Sequence, residues 1–313
     1  MAPTVIVFGP TGNIGSFAAT TAASHGAKVI LAMRDTSKTV PGLSKAQESE
    51  GNYERVEADL TKPETLTAAV KSSGATRAFV YLAHGSRDHM KSALEALKSA
   101  GIEFVVFLSS FTIGPFDVDG EGRNVPQTEV IPWVHAQVEI CLDEVFGQEH
   151  YVAVRPGAFA TNLLRYKDGI AKGEVRLHGG DFRMDCITPI DMGRVSGTIL
   201  AAQTGPKDGM GKVYLFGPQV LSMAEAIKVI AKVLGKEVNI TPIGDEEGME
   251  QMMANHFPKP IAEYMLRALS EPRDEKKTRP KYDEGVENVK AYTGESATSL
   301  EEWVKDNSEL FGA

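Results

Sequence analysis

The chain has 313 residues, a formal net charge of −9 and a sequence pI near 5.4. That length admits one large α/β domain or a domain with a smaller lobe, and the acidic balance argues against a nucleic-acid-binding surface. Two cysteines, Cys141 and Cys186, make no disulfide framework, no apolar run approaches membrane-spanning length, and the N-terminus leads straight into a strand without room for a signal peptide, so a cytoplasmic protein with no membrane partner is expected.

The chain opens on the β-branched run Val5-Ile6-Val7-Phe8, three glycines spaced every third residue, Gly9, Gly12 and Gly15, and a small-residue helix over 13–24. A strand, a tight turn and a helix N-terminus in that order present backbone N–H groups to a diphosphate. Gly9 suits the sharp exit from the strand, Gly12 the approach of the phosphates, and Gly15 the close seating of the helix on the sheet. Thr11, Asn13 and Ile14 complete the loop. The alternative is a structural βα turn with no ligand.

A second strand, 28–33, ends at Arg34, nineteen residues after Gly15, and Lys38 stands four residues on. In a dinucleotide fold this tip meets the adenosine ribose, where a cation suits a 2′-phosphate. One charge-assisted bond there is worth about 1.5–3 kcal/mol, roughly a ten- to hundredfold preference for NADP(H) over NAD(H). Asp35 turned inward would offset this, and two ordinary surface cations are the bland alternative.

The third strand, 53–58, ends at Asp59-Leu60. Asp59 either accepts from the adenine amino group or caps the next helix, with Thr61 the better cap candidate. A helix over 64–72 leads to a strand over 77–82 and then to Ala83-His84, where a cofactor has room to lie. A helix over 87–100 and a strand over 103–108 follow, ending in Ser109-Ser110. This alternation predicts a doubly wound parallel sheet, a Rossmann-type α/β fold, with every candidate residue at the carboxyl ends of the strands.

Residues 111–127 read as a long loop before a helix over 129–146. The sixth strand, 150–154, precedes Arg155-Pro156-Gly157-Ala158-Phe159 and Asn162. The rest reads as a smaller C-terminal α/β lobe, with a mixed segment to Cys186, a helix over 190–202, a strand over 212–216, and a helix over 222–234 opened by the capping box Ser222…Glu225. A strand over 238–242 and several helices follow, one near 300–305, with the polar stretch 270–285 expected to be a solvated connection. The expected division is a dinucleotide-binding unit over 1–155 and a lobe mainly over 156–313, with some segments returning to the sheet. No metal is expected, because His84 and His89 lack ligand spacing.

The glycine motif, Arg34 with Lys38, Asp59-Leu60, Arg155-Pro156-Gly157 and the late Ser299-Leu300-Glu301-Glu302-Trp303 together resemble the NmrA-like group of atypical short-chain dehydrogenases/reductases. The resemblance covers nearly the whole chain. It implies an NADP(H)-binding Rossmann domain and a small lobe closing over a substrate cleft, in a group that holds both working reductases and redox sensors without turnover. Catalytic members of the superfamily carry a Tyr and, four residues later, a Lys that lies four residues before a Glu. Counting back from Glu139 places His135 at the Lys position and Ile131 at the Tyr position. His135 is then a candidate to bond the nicotinamide ribose or pass a proton near neutral pH, against the alternative of local packing. The resemblance also runs the 156–159 segment, Pro156, Gly157, Ala158 and Phe159, beside the nicotinamide, with Asn162 toward the cleft. Ser110 is the second catalytic candidate. Thr112, Phe111 and Trp133 are substrate candidates, and Trp133, Phe111, Phe116 and Phe159 are candidates for an aromatic wall. Two functions follow, with lyase or isomerase chemistry on the same fold as a third alternative. One is an NADPH-dependent reductase of a small quinone, imine, activated alkene or carbonyl compound, and the other an NADP(H)-sensing regulator that binds another protein.

Overall fold

A computed structural model describes residues 2–117, 124–202, 211–271 and 275–312. The first half alternates β1 (Thr4–Phe8), α1 (Asn13–Ser24), β2 (Lys28–Met33), α2 (Lys45–Glu50), β3 (Tyr53–Glu57), α3 (Pro63–Ser73), β4 (Arg77–Tyr81), α4 (Lys91–Ala100), β5 (Phe104–Leu108), α5 (Val130–Val145) and β6 (Tyr151–Pro156). The second half adds α6 (Lys167–Lys172), β7 (Glu174–Leu177), β8 (Arg183–Met184), α7 (Pro189–Ala201), β9 (Lys212–Leu215), β10 (Leu221–Ser222), α8 (Met223–Val233), β11 (Asn239–Pro242) and α9 (Asp245–Ala254). It closes with α10 (Lys259–Ser270), α11 (Glu275–Thr278), α12 (Tyr282–Thr293) and α13 (Leu300–Asp306).

Seven strands form one sheet in the order β3-β2-β1-β4-β5-β6-β9, every pair parallel. The strands are apolar on both sides because helices cover both faces. Ile6, Ile30, Val80, Val105 and Phe107 pack beneath α3, α4 and α5 on one face. Val5, Val7, Phe79, Val106 and Val154 pack with α1, α7 and Val289 of α12 on the other. The doubly wound fold expected from the alternation is the fold observed. A third core, built from α8, α9, α10, α13 and the segment after β6, gathers Leu163, Met223, Ile227, Leu266 and Trp303. Two small sheets, β7 with β11 and β8 with β10, border it.

Helix α1 lies against α7 at a distance that only glycine allows. A Cβ on Gly193 would stand 2.3 Å from the Phe17 Cβ, and one on Gly197 2.6 Å from the Ala18 carbonyl oxygen. This crossing fixes the helix whose N-terminus carries the glycine loop.

Some elements depart from expectation. Helix α4 starts at Lys91 rather than Arg87, because His89 and Met90 adopt φ values of 53° and 67°. Asp88 then accepts from Ser92 N–H at 2.9 Å and from the Ser86 hydroxyl at 2.8 Å. The segment expected as a loop over 111–127 contains a 3-10 turn, Phe111–Phe116, while 118–123 lie outside the described residues. Thr61 does not cap α3; its hydroxyl donates to Asp59 at 2.8 Å, and Lys62 stands at the N-cap without a side-chain bond. Of the stretch 270–285, residues 272–274 lie outside the described residues, and the rest is no mere solvated connection, since Arg279 is 4% exposed and α12 begins at Tyr282.

Candidate active site

The glycine loop has the geometry an anion site needs. Gly9 has φ +68°, and a Cβ on Gly15 would lie 2.2 Å from the Gly9 carbonyl oxygen. Gly15 is therefore required by the loop's own backbone rather than by the sheet. The Gly12 N–H donates to the Gly9 carbonyl at 3.0 Å, closing the turn. Gly12 is also the N-cap of α1, without a side-chain cap and without an acidic residue in the first turn. The first N–H groups of α1 and the positive end of its dipole are left for a ligand.

Arg34 and Lys38 are exposed, and neither side chain has an ion-pair partner among the described residues. Their loop is held from below, because Arg55 donates to the carbonyls of Thr36 and Lys38 (2.7 Å to Lys38) while gripping Glu48. Asp35 accepts from Ser37 N–H at 3.0 Å and from the Ser37 hydroxyl at 2.6 Å, bonds that lower its pKa. The inward turn that would have opposed a phosphate is not made. Asp59 accepts from Thr61 through one oxygen. Burial pushes its pKa up, but the Thr61 bonds and the nearby Arg34 and Lys62 charges outweigh that and hold it low.

Two cavities adjoin at the carboxyl end of the sheet. One of about 250 Å³ is walled by Arg34, Asp59, Leu60, Ala83 and His84. The other, about 380 Å³, is walled by Gly12, Asn13, Ile14, Gly15, Leu108, Thr161 and Pro189. Gly9, Thr11 and Tyr81 belong to both. Tyr81 escaped the sequence reading. Its only signal was an aromatic at the last position of a strand, on the same side as Phe79.

His135 lies on α5 beside Phe107, ring centroids 6.4 Å apart. Its Nδ1–H donates to the Ile131 carbonyl at 2.8 Å. A carbonyl only accepts, so Nδ1 carries the proton and Nε2 is left as the lone-pair nitrogen of the neutral ring. Burial lowers its pKa, and His84 adds to the shift. The neutral ring therefore accepts through Nε2; donating to a ribose would require the imidazolium.

Ser110 caps the 3-10 turn, its oxygen 2.8 Å from the Thr112 hydroxyl. Phe111, Thr112, Phe116 and Tyr264 line a further cavity of about 250 Å³ between the 3-10 turn, the start of α5, α10 and α11. The expected aromatic wall is divided. Phe111 packs edge-on to Phe216, Phe116 and Trp133 pack with Ile113 and Ala136, and Phe159 joins the core beneath α1 and α7. Trp133 also meets His89 edge-on at 5.0 Å. Asn162 is exposed, and its carbonyl holds Arg165 at 2.8 Å.

Beneath these groups runs a buried polar frame. The Ser109 hydroxyl donates to Glu139, so that side chain is spent on the frame. Arg155, 0% exposed, forks onto Glu139 and reaches Asp117 at 2.6 Å and the Tyr214 hydroxyl at 2.8 Å. Past Pro156, the turn at Gly157 and Ala158 is seated on Asp185, which accepts from Ala158 N–H at 2.9 Å and from Gly217 N–H at 3.1 Å. A Cβ on Gly157 would stand 2.2 Å from that carboxylate. Among the described residues no group of three His, Cys, Asp or Glu side chains could hold a metal ion, and no helix is long and apolar enough to cross a membrane.

The NmrA-like family model matches residues 1–304. The chain belongs to the NmrA-like family. The chain is 38% identical to the nitrogen metabolite regulation-like protein bik4 of Gibberella fujikuroi, covering 96% of this chain and 95% of that one. It is 25% identical to a (4-alkanoyl-5-oxo-2,5-dihydrofuran-3-yl)methyl phosphate reductase of Streptomyces griseus, covering 98% and 99%. A solved structure of Citrobacter sp. triphenylmethane reductase complexed with NADP(H) superposes with a TM-score of 0.70 at 17% identity, covering 97% of this chain and 99% of that chain. At the positions where catalytic members of the wider superfamily are expected to carry Tyr and Lys, this chain carries Ile131 and His135.

Proposed function

We propose that the protein is an NADPH-dependent oxidoreductase that reduces a small quinone, imine, activated alkene or carbonyl compound. The observation that carries this reading is the uncapped α1 N-terminus and the side-chain-free cradle of Gly9 and Gly15 opening into two adjoining cavities, with unpaired Arg34 at their outer rim. An anionic dinucleotide fits that set of donors. In this reading the 9–15 loop binds the diphosphate, Arg34 and Lys38 hold the 2′-phosphate, and Asp59, Leu60, Ala83 and His84 enclose the adenosine. The unit over 1–155 holds the cofactor, and the lobe mainly over 156–313 closes the substrate side. The reductase relative and the NADP(H)-complexed neighbour support the same class.

NADPH supplies a hydride when bound; the chain's residues position it and shape the acceptor site. His135 Nε2 accepts from a ribose hydroxyl and fixes the nicotinamide end. The turn 156–159, seated on Asp185, gives that end a rigid wall. Phe111 and Thr112 offer the acceptor an apolar face and a hydroxyl. No phenol stands at position 131 to protonate a ketone oxygen. Acceptors already activated, such as a quinone or an iminium, need that proton least.

The second reading, an NADP(H)-sensing regulator that binds another protein, is favoured by the 38% likeness to a protein named for nitrogen metabolite regulation. One assay separates the two. Purified protein is mixed with NADPH and a panel of quinones, imines and carbonyls while nicotinamide absorbance is followed. Turnover by wild type that falls in His135→Ala, measured at NADPH concentrations that saturate each protein, supports the reductase. Binding with no turnover on the panel supports the regulator. Arg34→Ala should weaken NADPH roughly ten- to a hundredfold more than NADH. Equal losses for the two nucleotides would remove the phosphate role.

A further inference from the structure

Among the described residues three large apolar side chains are exposed, Tyr81, Met253 and Leu310. Tyr81 is the one that lies in the candidate site. It is the last residue of β4, next to β1 in the sheet, and strand alternation puts it with Phe79 on the α1 side. Its ring stands against the first glycine of the loop. A Cβ on Gly9 would stand 2.7 Å from the Tyr81 Cε1 and 3.4 Å from its hydroxyl oxygen. With Gly9 and Thr11, Tyr81 lines both the 250 Å³ and the 380 Å³ cavity, so it stands at the boundary a dinucleotide spanning the two would cross. The hydroxyl has no hydrogen-bond partner among the described residues.

We infer that Tyr81 is a cofactor-binding residue whose hydroxyl donates to the diphosphate bridge, an inference that rests on the NADP(H) reading above. The geometry places a phenolic oxygen at the loop that cradles the bridge, while Arg34 and Asp59 flank its far side. A phenol is protonated at neutral pH, and the partial burial of Tyr81 raises its pKa further. It is therefore a donor facing a ligand whose diphosphate only accepts. The ring's second effect is steric. Resting on Gly9, it fixes the step between the adenosine half-site and the nicotinamide half-site.

The test compares two ligands on wild type and Tyr81→Phe by calorimetry, with competition against NADPH for the weaker one. NADPH contains the bridge, whereas adenosine 2′-phosphate fills only the adenosine end. Tyr81→Phe is expected to weaken NADPH about tenfold and to leave adenosine 2′-phosphate unchanged. Unchanged NADPH affinity overturns the inference, as does an equal loss for both ligands. Tighter binding in Tyr81→Ala also overturns it, since the ring would then be an obstruction. Wild-type protein that binds neither ligand brings down the NADP(H) reading itself, a result distinct from any change confined to the variants.

Discussion

A lysine in water carries its charge throughout the physiological range, whereas the imidazole at position 135 charges only when Nε2 takes a proton. Burial makes that harder, so the folded protein holds His135 neutral at a pH where the unfolded chain has already protonated it. Between the two pKa values the unfolded chain binds more protons, and acid therefore favours unfolding. The histidine's contribution to stability is whole above about pH 6.5, the unperturbed value, and is lost as pH falls from there toward the folded pKa. His135→Asn keeps an amide N–H for the Ile131 carbonyl and removes the titration. Thermal melts from about pH 8 to pH 5 should show a shallower acid-side fall in this variant than in wild type. A parallel fall in both would mean that other groups carry the acid sensitivity. The position of His135 was legible from its spacing to Glu139. Its tautomer was not, because that depends on which way the ring turns on the helix.

The elements that local pattern specifies were legible: β-branched runs ending in Gly, Asp or Ser, and helices closed by His25-Gly26 or opened by Ser222…Glu225. Helix α2 went unread, although Ser44…Gln47, a capping box that is formed in the structure, marks its start. The start of α4 and the structure of 270–285 were hidden because tertiary partners decide them. Met90, 0% exposed, is drawn into the core, and Arg279 is drawn to Asp185. The α1–α7 crossing was hidden for the same reason, since Gly193 and Gly197 meet residues far away in sequence. It yields a prediction whose sign tests the geometry. In an exposed helix, Gly→Ala stabilises by up to about 1 kcal/mol. At Gly197 the new methyl meets the Ala18 carbonyl oxygen at 2.6 Å and the Thr21 Cβ at 2.7 Å. Overpacking of this kind costs about 1–3 kcal/mol and exceeds the propensity gain. Urea denaturation of Gly197→Ala should therefore show lower stability; higher stability would mean that the helices are not in such close contact.

At the scale of the whole molecule, one buried pair joins the sheet to the third core. Asp185 accepts from the turn after β6 and the turn after β9, and Arg279 approaches it at 3.5 Å. Arg279 also donates to the Arg183 carbonyl and lies over Phe111, its guanidinium carbon 5.7 Å from the ring centroid. The wall of the proposed nicotinamide end and the wall of the proposed substrate cavity thus rest on the same two side chains. A pair buried this deeply is costly to break and cheap to replace. Removing one partner leaves the other desolvated and uncompensated, about 3–5 kcal/mol, whereas removing both charges together avoids most of that loss. Asp185→Asn and Arg279→Met should each destabilise the protein strongly, and the double variant should recover a large part of the sum. A double-mutant cycle by urea denaturation measures that coupling. Additive losses would show that Asp185 serves its backbone donors and Arg279 its carbonyl and ring independently, with no joint between the two cores. Strong coupling would make the same pair a determinant of the site's shape, and in that case the double variant, though refolded, should bind NADPH more weakly than wild type, because the turn at Gly157 would have lost the charge that seats it.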